Sequence, residues 1–261
     1  MENNQQAAEC PSFSKKKTIC LLIIDESGSM QSIQNETINT YKTIVQKIYD
    51  NRMEFEDLEQ YIALWTFNRN ITEVIPPTLV SSSNFPEFKY NPNGFTPLYD
   101  AIGISTRELE VFLHKNSKIG DYLVNVNIIT DGLENSSKEY TQNEISMLIE
   151  RLETQNWKFE YFGADHNVER ASRGINIKRH QTFTKDAEGM NHVAYSAYIR
   201  RTDSLKEWLL FDEQENQIKN NSWIESENNS WIESENMAEI DKKKSIQQIL
   251  KGSKHWSNIF K

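Results

Sequence analysis

Residues Thr18 to Met30 read TICLLIIDESGSM, and the fold follows from the point where this run turns from apolar to polar. The segment TICLLII, Thr18 to Ile24, lacks the alternation of a half-exposed strand. It predicts a strand covered on both faces of a parallel sheet. The strand stops at Asp25, and a short loop follows in which Asp25, Ser27 and Ser29 alternate with Glu26 and Gly28. From Asn35 to Tyr49, Ile38, Tyr41, Ile44, Val45 and Ile48 recur at helical spacing. Strand, polar loop and helix in that order open a βαβ unit.

The rest of the chain repeats the theme. Tyr61 to Phe67 (YIALWTF) predicts a second strand, and the turn Asn68-Arg69-Asn70 leads into Ile71 to Ile75 as a hairpin at a sheet edge. Beyond a Pro- and Ser-rich loop, Pro97 suits a first helical turn, and Leu98, Ala101, Ile102, Ser105, Leu109 and Phe112 carry that helix on. Leu123 to Thr130 (LVNVNIIT) predicts a strand ending at Asp131-Gly132. Thr141 to Glu153 predicts a helix, Trp157 to Gly163 a strand, and Asn167 to Arg173 a helix with a left-handed stop at Gly174. The expected architecture is α/β: a doubly wound, Rossmann-like open sheet, mostly parallel with one antiparallel edge strand and helices on both faces.

Composition narrows the function. With 38 acidic against 29 basic residues and a formal charge of -9, the chain lacks the basic surface that phosphate binding needs, so no nucleic-acid partner is expected. Two cysteines, Cys10 and Cys20, imply no disulfide framework, and Cys20 reads as a small buried hydrophobe. The apolar run before Asp25 is too short for a secretory signal or a membrane span, which points to a cytoplasmic protein with no membrane partner.

Three segments emerge: a polar leader at 1–16, a domain at 17–200 and an acidic extension at 201–261. In the extension the octapeptide NSWIESEN occurs twice in tandem, at Asn221 to Asn228 and Asn229 to Asn236. A recent duplication in a tolerant segment explains the repeat. A bivalent docking peptide anchored by Trp223 and Trp231 is the sharper alternative.

The chemistry gathers at the strand ends. In an open α/β sheet, ligands bind beyond the carboxyl ends of the strands. Hard oxygen donors on alternate residues of the Asp25 to Ser29 loop suit magnesium, or manganese. Asp25-x-Ser27-Gly28-Ser29, then Thr96 within Gly94 to Ala101 (GFTPLYDA), then Asp131 in Ile-Thr-Asp-Gly, resembles the metal-ion-dependent adhesion site of von Willebrand factor type A domains. The resemblance covers Lys17 to Arg200. Trp157 to Ile177 is similar to the ending of bacterial and phage-borne cytoplasmic members.

This resemblance implies that Ser27 and Ser29 bind the ion directly, that Asp25 and Asp131 act through water or orient ligands, and that Thr96 binds directly in one state. It further implies that a Glu or Asp of a partner protein completes the shell. Glu26, Gly94, Glu134, Asn135, Asp165 and His166 are candidates for the border of the site. For Asp165-His166 the plainer reading is a helix N-cap with a polar neighbour. For Glu134-Asn135 it is a solvated loop.

Two other functions remain open. A metal-assisted hydrolase would need a base, and only His166 is a candidate. G-x-S-x-G is absent, so neither serine reads as a nucleophile. A regulatory subunit of a larger AAA+, kinase, phosphatase or defence-type complex is the other. The chain holds no P-loop, so any ATPase would be a separate protein.

Overall fold

In the computed structural model, residues 15–81, 86–214 and 217–218 are described. The chain forms two compact units, Met1–Trp208 and Leu209–Lys261. Most of the acidic extension, with Trp223, Trp231 and both copies of the octapeptide, lies outside the described residues, as does most of the leader.

The first unit is built on a six-stranded sheet. Its strands are β1 (Lys16–Asp25), β2 (Leu58–Phe67), β3 (Ile71–Leu79), β4 (Tyr122–Thr130), β5 (Trp157–Gly163) and β6 (Arg179–Thr182). Their spatial order is β3-β2-β1-β4-β5-β6. All neighbours are parallel except β2 and β3, which form the expected antiparallel hairpin at one edge. The helices are α1 (Gln34–Asp50), α2 (Leu98–Asn116), α3 (Gln142–Glu153), α4 (Val168–Gly174) and a last helix, α5, of which 187–208 belong to this unit.

β1 lies at the centre and is buried on both faces from Lys17 to Asp25. Ile19, Leu21 and Ile23 join Val124, Val126 and Ile128 of β4 in one core, closed by Leu98, Ala101, Ile102 and Leu109 of α2 and by Ile145, Ile149 and Leu152 of α3. Cys20, Leu22 and Ile24 face the other way, toward Ile44, Val45 and Ile48 of α1 and Met190, Val193, Ala194 and Ala197 of α5. Helices therefore cover both faces, and the uninterrupted apolar run of β1 is the consequence. Among the described residues no helix is long and apolar enough to cross a membrane.

α3 starts on a capping box: the Thr141 side chain accepts from the Glu144 backbone, and the Glu144 side chain accepts from the Thr141 backbone. The expected left-handed stop at Gly174 falls elsewhere. Gly174 is the last residue of α4, and the left-handed residue is Asn176, with φ 64°. What Gly174 supplies is room. Gln142 Nε2 donates to its carbonyl at 2.8 Å, and a Cβ at 174 would stand 2.6 Å from that nitrogen.

Candidate metal centre

Strand order reverses between β1 and β4. From β1 the chain crosses to β2 on one side, and the later strands β4, β5 and β6 fill the other. The crossovers leave in opposite directions there and open a crevice at the carboxyl ends of the two strands. Asp25 is the last residue of β1 and Asp131 follows the last residue of β4. Register alone thus places both carboxylates at the crevice.

Asp25 is fully buried. Its Oδ1 accepts the backbone N–H of Ser27 at 2.7 Å, and its Oδ2 accepts the Thr130 hydroxyl at 2.5 Å. The Tyr90 hydroxyl donates to the Asp25 carbonyl. Burial pushes the Asp25 carboxyl up to about 6 from an ordinary 3.8; bonds from Thr130 and Ser27 oppose the rise and the Asp131 charge adds to it. A carboxylate so desolvated gains from a nearby cation, because the cation favours its charged form.

After Asp25 the chain turns through Ser27 into a 3₁₀ turn, Gly28–Ile33, before α1 begins. The Ser27 and Ser29 hydroxyl oxygens lie 3.2 Å apart. The Ser29 hydroxyl donates to Asp131 Oδ1 at 2.6 Å, which joins the two strand ends across the crevice. Oxygens bound to one magnesium at about 2.1 Å stand roughly 3 Å apart along an octahedral edge, and these two gaps bracket that spacing.

Thr96 closes the third side. Its backbone is clamped by Asn135, whose Oδ1 accepts from the Thr96 N–H at 2.9 Å and whose N–H donates to the Thr96 carbonyl at 3.2 Å. A Cβ at Gly132 would stand 3.2 Å from Thr96 Oγ1 and 3.8 Å from Asp25 Oδ2. Glycine at 132 therefore lets the Thr96 hydroxyl approach the Asp25 and Asp131 turns. The set of two carboxylates and three hydroxyls fits a hard divalent cation. Among the described residues no group of three or more His, Cys, Asp and Glu side chains is gathered as a metal cluster, and three of the five candidate donors are hydroxyls.

The border candidates divide. Glu26 faces the neighbouring loop, its Oε1 accepting from Asn91 N at 2.7 Å and its carbonyl accepting from Asn93 N at 2.8 Å. Gly94 adopts φ +84°, and its carbonyl accepts from Gly28 N at 3.4 Å. Glu134 and Asn135 are more than a solvated loop. Glu134 accepts from the N–H groups of Ser136, Ser137 and Tyr99, which fixes the start of α2, while Asn135 holds Thr96.

Asp165-His166 is not the N-cap of α4. Asn167 is, because its side chain accepts from Arg170 N at 2.9 Å. Asp165 adopts φ 56° and pairs with Lys185 at 3.2 Å. His166 has both ring nitrogens in hydrogen-bond range of other groups, 3.1 Å from the Tyr161 hydroxyl and 2.5 Å from the Ala164 carbonyl.

Three residues of the centre were not expected. Thr130 was signalled only by its place just before Asp131. Tyr90 and Lys185 come from loops remote in sequence and carry no local motif. Lys185 donates to Asp131 Oδ2 at 2.6 Å and to the Ser29 carbonyl at 2.9 Å.

The chain has the fold of von Willebrand factor type A domains. A von Willebrand factor type A protein from Catenulispora acidiphila superposes with a TM-score of 0.54 at 13% identity, over 72% of this chain and 43% of that one. Proximal thread matrix protein 1 of the mussel byssus superposes with a TM-score of 0.53 at 15% identity, over 70% of this chain and 48% of that one. The chain thus spans less than half the length of either. No protein-family model and no curated protein matches it.

Proposed function

We propose that this chain is a protein-binding module that holds one divalent cation, magnesium or manganese, among Asp25, Ser27, Ser29, Thr96 and Asp131, and uses it to capture a carboxylate of a partner protein. The observation that carries the reading is the Ser29 hydroxyl bridging to Asp131 at 2.6 Å, beside a fully buried Asp25 at the end of the adjoining strand. Only two of the five donors carry charge. When bound, the ion would keep much of its electrophilic character and favour an anionic oxygen from outside.

The surroundings suit a protein surface. Phe95 and Leu133, next in sequence to Thr96 and Gly132, are more than half exposed. Beside Phe95 runs an open groove of about 990 Å³ with Pro97 and Ile104, the basic Arg69 and Lys138 and the acidic Asp100 and Glu139 in its lining. Exposed apolar side chains next to a cation site suit a partner segment that is partly apolar around its carboxylate.

The hydrolytic alternative has less support. His166, the one candidate base, lies within hydrogen-bond reach of Tyr161 and Ala164 at its two ring nitrogens. The regulatory-subunit reading comes from the resemblance alone, and the acidic extension that would serve as a docking peptide lies mostly outside the described residues.

The test is to load the full chain with Mn2+ and titrate acetate while following the electron paramagnetic resonance of the ion. Carboxylate capture predicts a saturable spectral change as acetate replaces a bound water, with no change for acetamide. Identical spectra with and without acetate would contradict it.

A further inference from the structure

Lys185 lies in the loop between β6 and α5 and meets three oxygens at once. Its ammonium is 2.6 Å from Asp131 Oδ2, 2.9 Å from the Ser29 carbonyl and 3.2 Å from Asp165 Oδ2. The two carboxylates differ. The Asp131 side chain is fully covered, whereas the Asp165 side chain is 64% exposed. The ammonium therefore bridges an inner and an outer anion. Ser29 already occupies the other oxygen of Asp131, so both Asp131 oxygens are engaged within the chain.

The outer position is also held in an uncommon shape. Asp165 takes a left-handed φ of 56° although it caps no helix, that role belonging to Asn167. Non-glycine residues adopt this conformation sparingly, and here it carries the carboxylate to the Lys185 ammonium.

We propose that Lys185 is a tethered cation of the metal centre: it neutralises Asp131 and anchors the Ser29 loop in the metal-free chain, and a divalent ion must displace its ammonium toward Asp165. The inference rests on the reading of the centre as a metal site. Its physical basis is that a single and a double positive charge repel strongly across a few ångström of partly covered space, so they do not share Asp131. Lys185 then lowers the affinity for metal while holding Asp131 and the Ser29 loop in place. Asp165 receives the displaced ammonium and limits that loss.

The test is calorimetric titration of Mg2+ into the full chain and into Lys185→Met, Lys185→Arg and Asp165→Asn. Methionine keeps the length and stem without the charge, and asparagine tolerates the left-handed backbone. Lys185→Met is expected to bind Mg2+ roughly tenfold more tightly, within the range of couplings between linked sites, and to melt lower than the parent in EDTA but not in Mg2+. Lys185→Arg should stay close to the parent. Asp165→Asn should bind Mg2+ more weakly, and it carries the test alone if Lys185→Met does not fold. Equal or weaker Mg2+ binding by a folded Lys185→Met would overturn the inference while leaving the metal site standing. Absence of Mg2+ binding in every chain would overturn both.

Discussion

Thr130 Oγ1 lies 2.5 Å from Asp25 Oδ2, a hydrogen bond between residues 105 apart that ties the carboxyl end of β4 to that of β1. With Asp25 Oδ1 accepting from Ser27 N, both carboxylate oxygens are fixed, and the side chain faces the crevice in one orientation. The same Thr130 oxygen accepts from Gly132 N at 3.1 Å, so it also shapes the turn that carries Asp131.

Replacing Thr130 by valine keeps the shape and removes the hydroxyl. The metal-free protein is expected to lose about 1–3 kcal/mol, the cost of leaving a buried acceptor unmatched, and Mg2+ affinity should drop. Urea unfolding in EDTA, followed by Mg2+ titration, checks both. Parental stability together with parental affinity would count against an orienting role.

A second expectation concerns Asp100, buried in the first turn of α2. Its carboxylate accepts from Lys138 N at 2.7 Å, Glu139 N at 2.9 Å and Tyr140 N at 2.8 Å. These bonds hold the segment after Asp131 against the start of α2, and that segment includes the Asn135 clamp on Thr96. Asp100→Ala should cost on the order of 3 kcal/mol and weaken metal binding without touching a ligand. Unchanged thermal unfolding would contradict the assignment.

Much of this was legible in the sequence because the strongest signals are local. β1 contains an unbroken apolar run, β4 (YLVNVNIIT) and β5 (WKFEYFG) are short stretches rich in apolar and aromatic residues, and the hairpin turn Asn68-Arg69-Asn70 sits between its strands. The five expected donors fall at strand ends or just before a helix, so the fold brings them together. The features without a local signal are set by tertiary context. β6, Arg179–Thr182, is four polar residues whose strand character comes from pairing with β5. α5 presents Met190, Val193, Ala194 and Ala197 to the core amid many polar residues, a thin stripe that alanines make weaker still. Lys185 lies between these two elements, so no local pattern could place it over Asp131.

Cys20 gives a pH dependence away from the metal. Burial raises its thiol to about 11 from an ordinary 9.0, the Arg201 charge and the Asn127 hydrogen bond working against the rise. Because the folded value lies above the unfolded one, the stabilising contribution of the neutral thiol is complete below about pH 9. It is lost as pH climbs through 11. The stability difference between the parent and Cys20→Ala should therefore fall by on the order of 2 kcal/mol between pH 8 and 11. A difference constant with pH would refute it.

Arg201, on α5, is buried with only its Nη2 bonded, to Gln60 Oε1 at 2.8 Å; Nε and Nη1 have no hydrogen-bond partner among the described residues. Burial pulls its guanidinium down to about 10 from 12.5. A desolvated charge with so few partners costs stability that a hydrophobe of similar length recovers. Arg201→Met is expected to be neutral or stabilising by about 1–4 kcal/mol in chemical denaturation. A loss of more than about 2 kcal/mol, of the kind seen when a well-paired buried charge is broken, would show that Arg201 is better paired than its contacts indicate.

Whether a divalent cation binds where β1 and β4 end is tested most directly by calorimetric titration of Mg2+ into the full chain beside Asp25→Ala and Ser29→Ala, each first shown to be folded by circular dichroism. One ion per chain is expected in the parent, with affinity reduced at least roughly tenfold in each variant, the loss that about 1.4 kcal/mol of missing coordination produces. Binding of equal strength in all three proteins would place the ion elsewhere and contradict the assignment.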